Sequence, residues 1–358
     1  MIGERIKQRR IALGLSLDDL AARTGNFVSK QAIHKYEQGV STPGSDVLIK
    51  LSEALGVKVE FFFRPQEQEV MLGEPAYRKH ASASAKELKA LNAKTQELLE
   101  RYFFVESAIS SRKSMSFSAP ARTSRKIRKT EDAERLSLAL RKRWKLGIDP
   151  IENLTEIFED HGVKVILLEG DDTFDGLSCW ANGSVPVIAI RRRIPGDRQR
   201  FNLAHELAHL LMDLWKDVDE EKAAHRFAGS FLVPAEAAFQ ELGRKRRHID
   251  ILELAMLKRK YGMSMQAWIY RALDLDIVSK SYASSLFALF RLNGWNKVEP
   301  GDQLPEEEPM RMERLVLRAA SEGAVSPARA AQLLGKPLNE FRKRLGAELV
   351  GKEAAAGC

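Results

Sequence analysis

The chain of 358 residues is poor in cysteine, with only Cys179 and Cys358. Two thiols so far apart build no disulfide framework, and their scarcity fits a reducing compartment. Neither has a Cys or His partner at metal-ligand spacing, which leaves both out as zinc ligands. Long apolar runs are missing as well. No stretch approaches the roughly 18 residues that cross a bilayer, so no membrane partner is expected. The opening residues, Met1-Ile-Gly-Glu-Arg-Ile6, lack the apolar core of a secretion signal, and a cytoplasmic protein is the expectation.

What is present is an ordinary globular composition, 44% hydrophobic and 30% charged. At about 100–200 residues per domain, two or three domains are expected. The net charge of +8 is unevenly placed, because residues 111–147 hold twelve Lys/Arg against three Asp/Glu. Such a block reads either as a solvated linker or as an electrostatic footprint for nucleic acid.

Residues 1–65 read as a compact all-helical module. A first helix runs from Ile2 to Ala12, with Ile6 and Ile11 inward and Arg5, Arg9 and Arg10 outward. Ser16 is placed to cap a second helix whose Asp18 and Asp19 complement its dipole. Ser29 can cap a third from Lys30 to Gln38 after the turn Thr24-Gly25-Asn26, and Leu48, Leu51 and Leu55 close the core from a fourth. Helix, turn, and a helix with a polar N-terminal end form the arrangement that sets side chains against base edges in the major groove. The exposed face would carry Ser29, Lys30, Gln31, His34 and Lys35, suited to a double-stranded DNA operator. A plain four-helix interaction module is the competing reading. The segment Ser-Lys-Gln-Ala-Ile-His-Lys-Tyr-Glu-Gln-Gly, followed by Thr42-Pro43 and the Leu-rich helix, resembles XRE/Cro-type repressor domains over about 60 residues.

Residues 66–130 connect this module to the rest. Gln68–Leu72 reads as a short strand, and 86–109 as a long amphipathic helix that serves either as core or as the seam of a homodimer. A second domain follows. Helices are expected at Ala133–Trp144 and, started by Pro150, at Ile151–His161. Strands are expected at 163–168, 176–183 and 185–190, the last two joined by an Asn182-Gly183 turn.

The densest chemistry lies in Phe201-Asn-Leu-Ala-His-Glu-Leu-Ala-His-Leu-Leu-Met-Asp213. Leucines at three-to-four spacing mark a buried helix, and His205 and His209, four apart, lie one above the other on it. Two imidazoles on one face can hold one metal ion, and Glu206, about 100° round, can act on a water there. Two core histidines on a buried helix form the competing reading. A third ligand is expected from the acidic helix that follows, with Glu221 the first candidate and Glu220 and His225 the others.

Arg198-x-Arg-Phe-Asn-Leu-Ala-His-Glu-Leu-Ala-His-Leu-Leu-Met-Asp213, followed by Ala224-His-Arg-Phe-Ala-Gly-Ser-Phe-Leu-Val-Pro234, resembles the ImmA/IrrE family of zinc metallopeptidases. Pro150-Ile-Glu-Asn-Leu154 and Phe174-Asp-Gly-Leu-Ser178 resemble it too. The resemblance implies a gluzincin-like endopeptidase that cleaves a partner repressor, with His205 and His209 on zinc and Glu206 as base. Many members carry a glutamate immediately before the alanine of the Ala-x-x-Phe-Ala segment. Here that position is Ala223, leaving Glu221.

The expected architecture is mostly α with a small α+β part. It comprises a helix-turn-helix domain (1–65), a connecting helix and basic linker (66–130), a zincin-like α+β domain with a small sheet (131–245) and a helical C-terminal region (246–358). In that last region helices are expected at 249–260, 264–273, 279–293, 326–334 and 337–345, with a Pro/Glu-rich loop at 301–309. The expected cofactor is Zn2+, and the expected partners are operator DNA and a repressor or antitoxin-like protein substrate. The competing functional reading is a repressor whose zincin-like domain is inactive and senses a ligand or partner, or an antitoxin.

Overall fold

A computed structural model describes residues 2–63, 70–73, 84–109, 116–170 and 174–343. The chain forms two compact units. Among the described residues the first takes 2–63, 70–71, 84–109 and 310–343, and the second takes 72–73, 116–170 and 174–309.

In the first unit, α1 (Ile2–Ala12), α2 (Leu17–Arg23), α3 (Lys30–Glu37) and α4 (Ser45–Leu55) enclose Ile6, Leu20, Ile33, Leu51, Leu55 and Phe62, all fully buried. Their boundaries are set locally. Ser16 and Asp19 form a capping box on α2, Ser29 accepts from the Ala32 N–H to cap α3, and left-handed Gly56 ends α4. Gly3 lets α1 lie on the end of α3, since a Cβ there would stand 1.8 Å from the Tyr36 carbonyl oxygen. The arginines read as outward are instead half-buried and paired: Arg10 grips Glu37 at 2.6 and 2.7 Å, while Arg5 and Arg9 reach Glu100 and Glu97. Those two glutamates sit on the long helix α5 (Ala85–Ala108), whose Leu91, Leu99, Tyr102 and Val105 are buried.

The second unit opens with β1 (Lys126–Ile127) and α6 (Asp132–Arg143). Next comes α7 (Leu154–Asp160), shorter than expected because the Asn153 side chain, not Pro150, caps it by accepting from Glu156 N. Then follow β2 (Lys164–Leu168), β3 (Gly176–Ala181) and β4 (Val185–Arg191), ordered β2-β4-β3. β4 is parallel to β2 and antiparallel to β3, with Asn182 and Gly183 both at positive φ in the hairpin turn. Leu72 bridges Ala181 on the free side of β3; residues 68 and 69 of the expected strand lie outside the described residues. Helix α8 (Gly196–Leu211) leads to β5 (Asp213–Leu214), paired with β1, and then to α9 (Glu220–Leu232). Four helices complete the unit: α10 (Ala235–Leu242), α11 (Ile251–Tyr261), α12 (Met265–Asp274) and α13 (Lys280–Leu292).

Most of the described Lys and Arg of the basic stretch are exposed, but some are built into this unit. The guanidinium of buried Arg141 donates to the carbonyls of Phe231, Gly147 and Asp149, Arg125 to that of Leu211, and Arg128 lies over the Trp215 ring. Residues 111–115 of that stretch lie outside the described residues. The Pro/Glu-rich loop also has structural work. Glu307 accepts from Thr155 N and Arg200, and Gly196 N donates to the Leu304 carbonyl. A Cβ at Gly196 would stand 2.1 Å from Pro305 O, so glycine is what lets the loop cross the start of α8.

Three helices are tied by one carboxylate. Glu134 of α6 receives Arg271 of α12 through both terminal nitrogens and Arg226 of α9. Burial would raise its pKa, but the two guanidiniums hold it below the ordinary value. Glu134→Ala is expected to lower unfolding stability by about 3–5 kcal/mol, because it strands the buried Arg271 cation. The stabilisation is complete above the ordinary pKa of 4.5 and fades as pH falls through the lower folded value. Chemical denaturation of both proteins across that range checks it; a pH-independent gap between them would contradict the assignment.

The chain then returns to the first unit with α14 (Arg311–Ser321), which sequence periodicity did not single out, and α15 (Pro327–Leu333). Val105 of α5, Val316, Ala319, Leu333 and Phe341 form their own cluster. The expected helix at 337–345 extends beyond the described residues at 344 and 345. Among the described residues no helix is long and apolar enough to cross a membrane.

Candidate metal centre

α8 carries His205 and Glu206 into the interior, where they are 6% and 4% exposed. Its apolar residues Leu203, Leu207, Leu210 and Leu211 bury as the sequence pattern requires, and Ala204 and Ala208 let neighbouring elements close in. α9 packs against it and brings its acidic first turn to the two histidines.

His205 Nε2 and His209 Nε2 stand 3.1 Å apart. Glu221 turns one carboxylate oxygen to each, at 3.4 Å from His205 Nε2 and 3.7 Å from His209 Nε2. Ligand atoms of the three side chains lie within 4.8 Å of one another, the group among the described residues that could hold a metal ion. Zinc takes nitrogen and oxygen ligands tetrahedrally at about 2.0–2.2 Å, which spaces neighbouring ligand atoms by about 3.4 Å. The three observed separations bracket that edge. The donor set of two imidazoles and one carboxylate also suits zinc, so the residues present fit the ion.

The rival candidates, Glu220 and His225, stand outside that group. Glu220 stands 2.9 Å from His209 Nδ1, accepting the N–H of the ring and leaving Nε2 as the outward acceptor. His225 donates from Nδ1 to the Glu221 carbonyl at 2.7 Å, and its ring lies between Phe201 and His205. Lost hydration and the neighbouring His205 hold its pKa below the ordinary imidazole value.

Glu206 points to the sheet side. A Cβ at Gly176, the first residue of β3, would meet Glu206 Cγ at 3.2 Å and Oε1 at 3.3 Å. The glycine is thus what gives the carboxylate its place. Sequence reading passed over Gly176, although a glycine opening a strand is a known mark of close approach.

In the first unit, the residues expected to face DNA share one surface. Ser29, Lys30, Gln31, His34 and Lys35 are all exposed, and Ile33 beneath them is fully buried. Lys30 is tied to Asp18 of α2 at 2.7 Å, which leaves Gln31, His34 and Lys35 as the outward polar groups of α3.

Comparison with known proteins matches both regions. Residues 6–62 match the helix-turn-helix family, and residues 158–273 match the IrrE N-terminal-like domain. A Rhodospirillum rubrum protein named as a transcriptional regulator in the ATPase CF(0) region is 38% identical over 76 residues, 21% of this chain and 65% of that protein. A Sinorhizobium medicae protein named as an HTH-type transcriptional regulator is 40% identical over 62 residues, 17% of this chain and 43% of that protein. The chain thus spans under two thirds of the curated relatives it matches. It joins an XRE-type helix-turn-helix segment at its N-terminus to an ImmA/IrrE-like domain.

Proposed function

We propose that this chain is a cytoplasmic, operator-binding regulator whose second unit is a zinc endopeptidase acting on a repressor or antitoxin-like protein. The observation that carries the reading is the convergence of His205, His209 and Glu221 beside Glu206. His205, His209 and Glu221 would hold zinc, with Glu220 fixing the ring of His209. When bound, the ion supplies a Lewis acid that polarises a peptide carbonyl and acidifies water. Glu206 takes the proton from the attacking water and later delivers it to the leaving amine. β3 is an edge of the sheet, so a substrate backbone can add to it; the chain's own Leu72-Gly73 holds the far end, with Gly73 N donating to Trp180 O at 2.8 Å.

The DNA half of the reading rests on α3. Gln31→Ala is expected to weaken operator binding by the equivalent of about 1–3 kcal/mol while leaving non-specific binding unchanged. Electrophoretic shifts on operator and scrambled duplexes measure this, and equal losses on both would argue against base reading. The peptidase half is tested by co-incubating the purified full chain with the repressor encoded beside its gene. Cleavage is expected with zinc and none after EDTA, while the operator shift persists in both. Absence of cleavage with one zinc bound per chain would favour an inactive, ligand- or partner-sensing domain.

A further inference from the structure

A cavity of about 460 Å³ lies within the first unit. Arg5 and Arg9, four residues apart on one face of α1, line it together with Phe61. α5 adds Glu97, Glu100, Arg101 and Phe104, and α15 with the turn after it adds Arg329, Leu333 and Lys336.

The lining is unbalanced in charge. Among the described residues it holds six cations, Arg5, Arg9, Lys58, Arg101, Arg329 and Lys336, against two carboxylates, Glu97 and Glu100. Arg9, at 2.9 Å, shares Glu97 with Arg101, and Arg5 reaches Glu100 at 2.8 Å, so three guanidiniums divide two carboxylates. Lys336 meets Glu313 at 3.1 Å, which still leaves six cations to three carboxylates. A ligand can reach these groups: Arg5 and Arg9 keep 12% and 21% of their side-chain surface, and Arg101 and Lys336 keep 30%. Flat surfaces lie beside the charge. Arg5 stands 5.7 Å over the Phe61 ring, and Arg329 stands 4.5 Å over that of Phe104.

Each feature selects one part of a ligand. Guanidiniums crowded in a concave wall draw anions and match phosphate oxygens two at a time. A carboxylate would offset one charge, whereas a phosphate monoester carries about −1.5 to −2 at pH 7 and a diphosphate about one more. Bases stack on aromatic rings and on guanidinium planes, and this wall has both. The size suits a small molecule, since ligand cavities run to about 300–1,000 Å³. We infer that this cavity is an effector site for a nucleoside diphosphate. The effector role rests on the operator-binding reading, and α1 is the link. Gly3 lies against Tyr36 of α3, and Arg10 grips Glu37 at the end of that helix. An occupant that draws on Arg5 and Arg9 therefore acts on the helix that seats the DNA reader.

The probe is ADP, titrated calorimetrically into the full chain, with inorganic phosphate, adenosine and benzoate in parallel. ADP is expected to bind once per chain and at least about tenfold tighter than the other three, because each of those lacks charge-assisted bonds or the stacking part. Arg329→Gln should weaken ADP by about tenfold or more. Ala328→Trp, at an exposed position of α15, should block the cavity. Lys50→Gln makes the same charge change at an exposed site outside the cavity and should leave ADP affinity unchanged. Saturating ADP should shift operator affinity at least about fivefold, the lower end of allosteric couplings. Phosphate or benzoate binding as tightly as ADP, equal losses in Arg329→Gln and Lys50→Gln, or ADP binding that survives Ala328→Trp overturns the site. Absence of ADP binding overturns it too; if Arg329→Gln then weakens operator and scrambled duplexes alike, these cations serve the DNA backbone instead. ADP binding with unchanged operator affinity overturns the effector role alone. A chain that binds ADP but shifts no operator sinks the DNA reading and leaves the site.

Discussion

Zinc affinity is expected to fall by more than 100-fold in Glu221→Ala, by about 10–100-fold in Glu220→Ala, and not measurably in His225→Ala. The order follows from geometry. Glu221 faces both Nε2 atoms at 3.4 and 3.7 Å, so its loss leaves two imidazoles alone to hold a dication. Glu220 touches only the far nitrogen of His209, where it fixes the ring orientation and raises its basicity. His225 is not among the residues whose ligand atoms converge. Competition against a chromophoric chelator, with the three variants and the parent chain side by side, gives the ranking directly. If Glu220→Ala lost as much as Glu221→Ala, or His225→Ala lost most, the proposed ligand set would be wrong. The experiment also addresses Ala223. Where the resemblance implies a glutamate this chain has Ala223, and in the proposed ligand set Glu221, two places earlier, takes that part.

How far the sequence revealed this site depends on how local each determinant is. Histidines four apart on an apolar helix announce their common face without tertiary knowledge, because helix geometry alone aligns them. The caps at Ser16, Ser29 and Asn153 are equally local, each a side chain bonding a backbone N–H three residues on. Sequence reading starts this helix at Pro150 and passes over Asn153, whose side-chain bond to Glu156 N sets the start of α7 at Leu154. Glu220 and Glu221 are a harder case. Adjacent residues point about 100° apart on a helix, so which one meets Nε2 and which meets Nδ1 depends on how α9 is rotated against α8. Composition gave no hint of that. Two members of the arginine-rich stretch were hidden for the same reason. Arg141 and Arg125 look like solvated charge in sequence, yet they satisfy carbonyls at loop and helix ends brought near by the fold. The Pro/Glu-rich loop, and Glu299 just before it, give as little sign of their contacts in sequence. Glu299 accepts from Met265 N, Gln266 N and buried Lys258, and Glu307 from Thr155 N and Arg200, contacts far apart in the chain.

Glu206→Gln is expected to lower the rate of substrate cleavage by about 10²–10⁴-fold, the range set by losing a general base and acid. Zinc content and operator binding should stay unchanged. The amide matches the carboxylate in size, so it fits the space that Gly176 leaves and exerts no new pressure on β3. It cannot accept and return a proton at neutral pH, so only the proton-transfer steps suffer. Gly176→Ala makes a complementary test of position. Its Cβ would sit 3.0 Å from Ile190 Cδ1, 3.2 Å from Glu206 Cγ and 3.3 Å from Glu206 Oε1, so the carboxylate must yield while all three metal-site residues stay in place. Cleavage should therefore drop with zinc affinity intact, as in Glu206→Gln, though less steeply because the base is displaced and not removed. Single-turnover cleavage and zinc titration on both variants separate the effects. Full activity in Glu206→Gln would end the proposed chemistry, whatever the metal content.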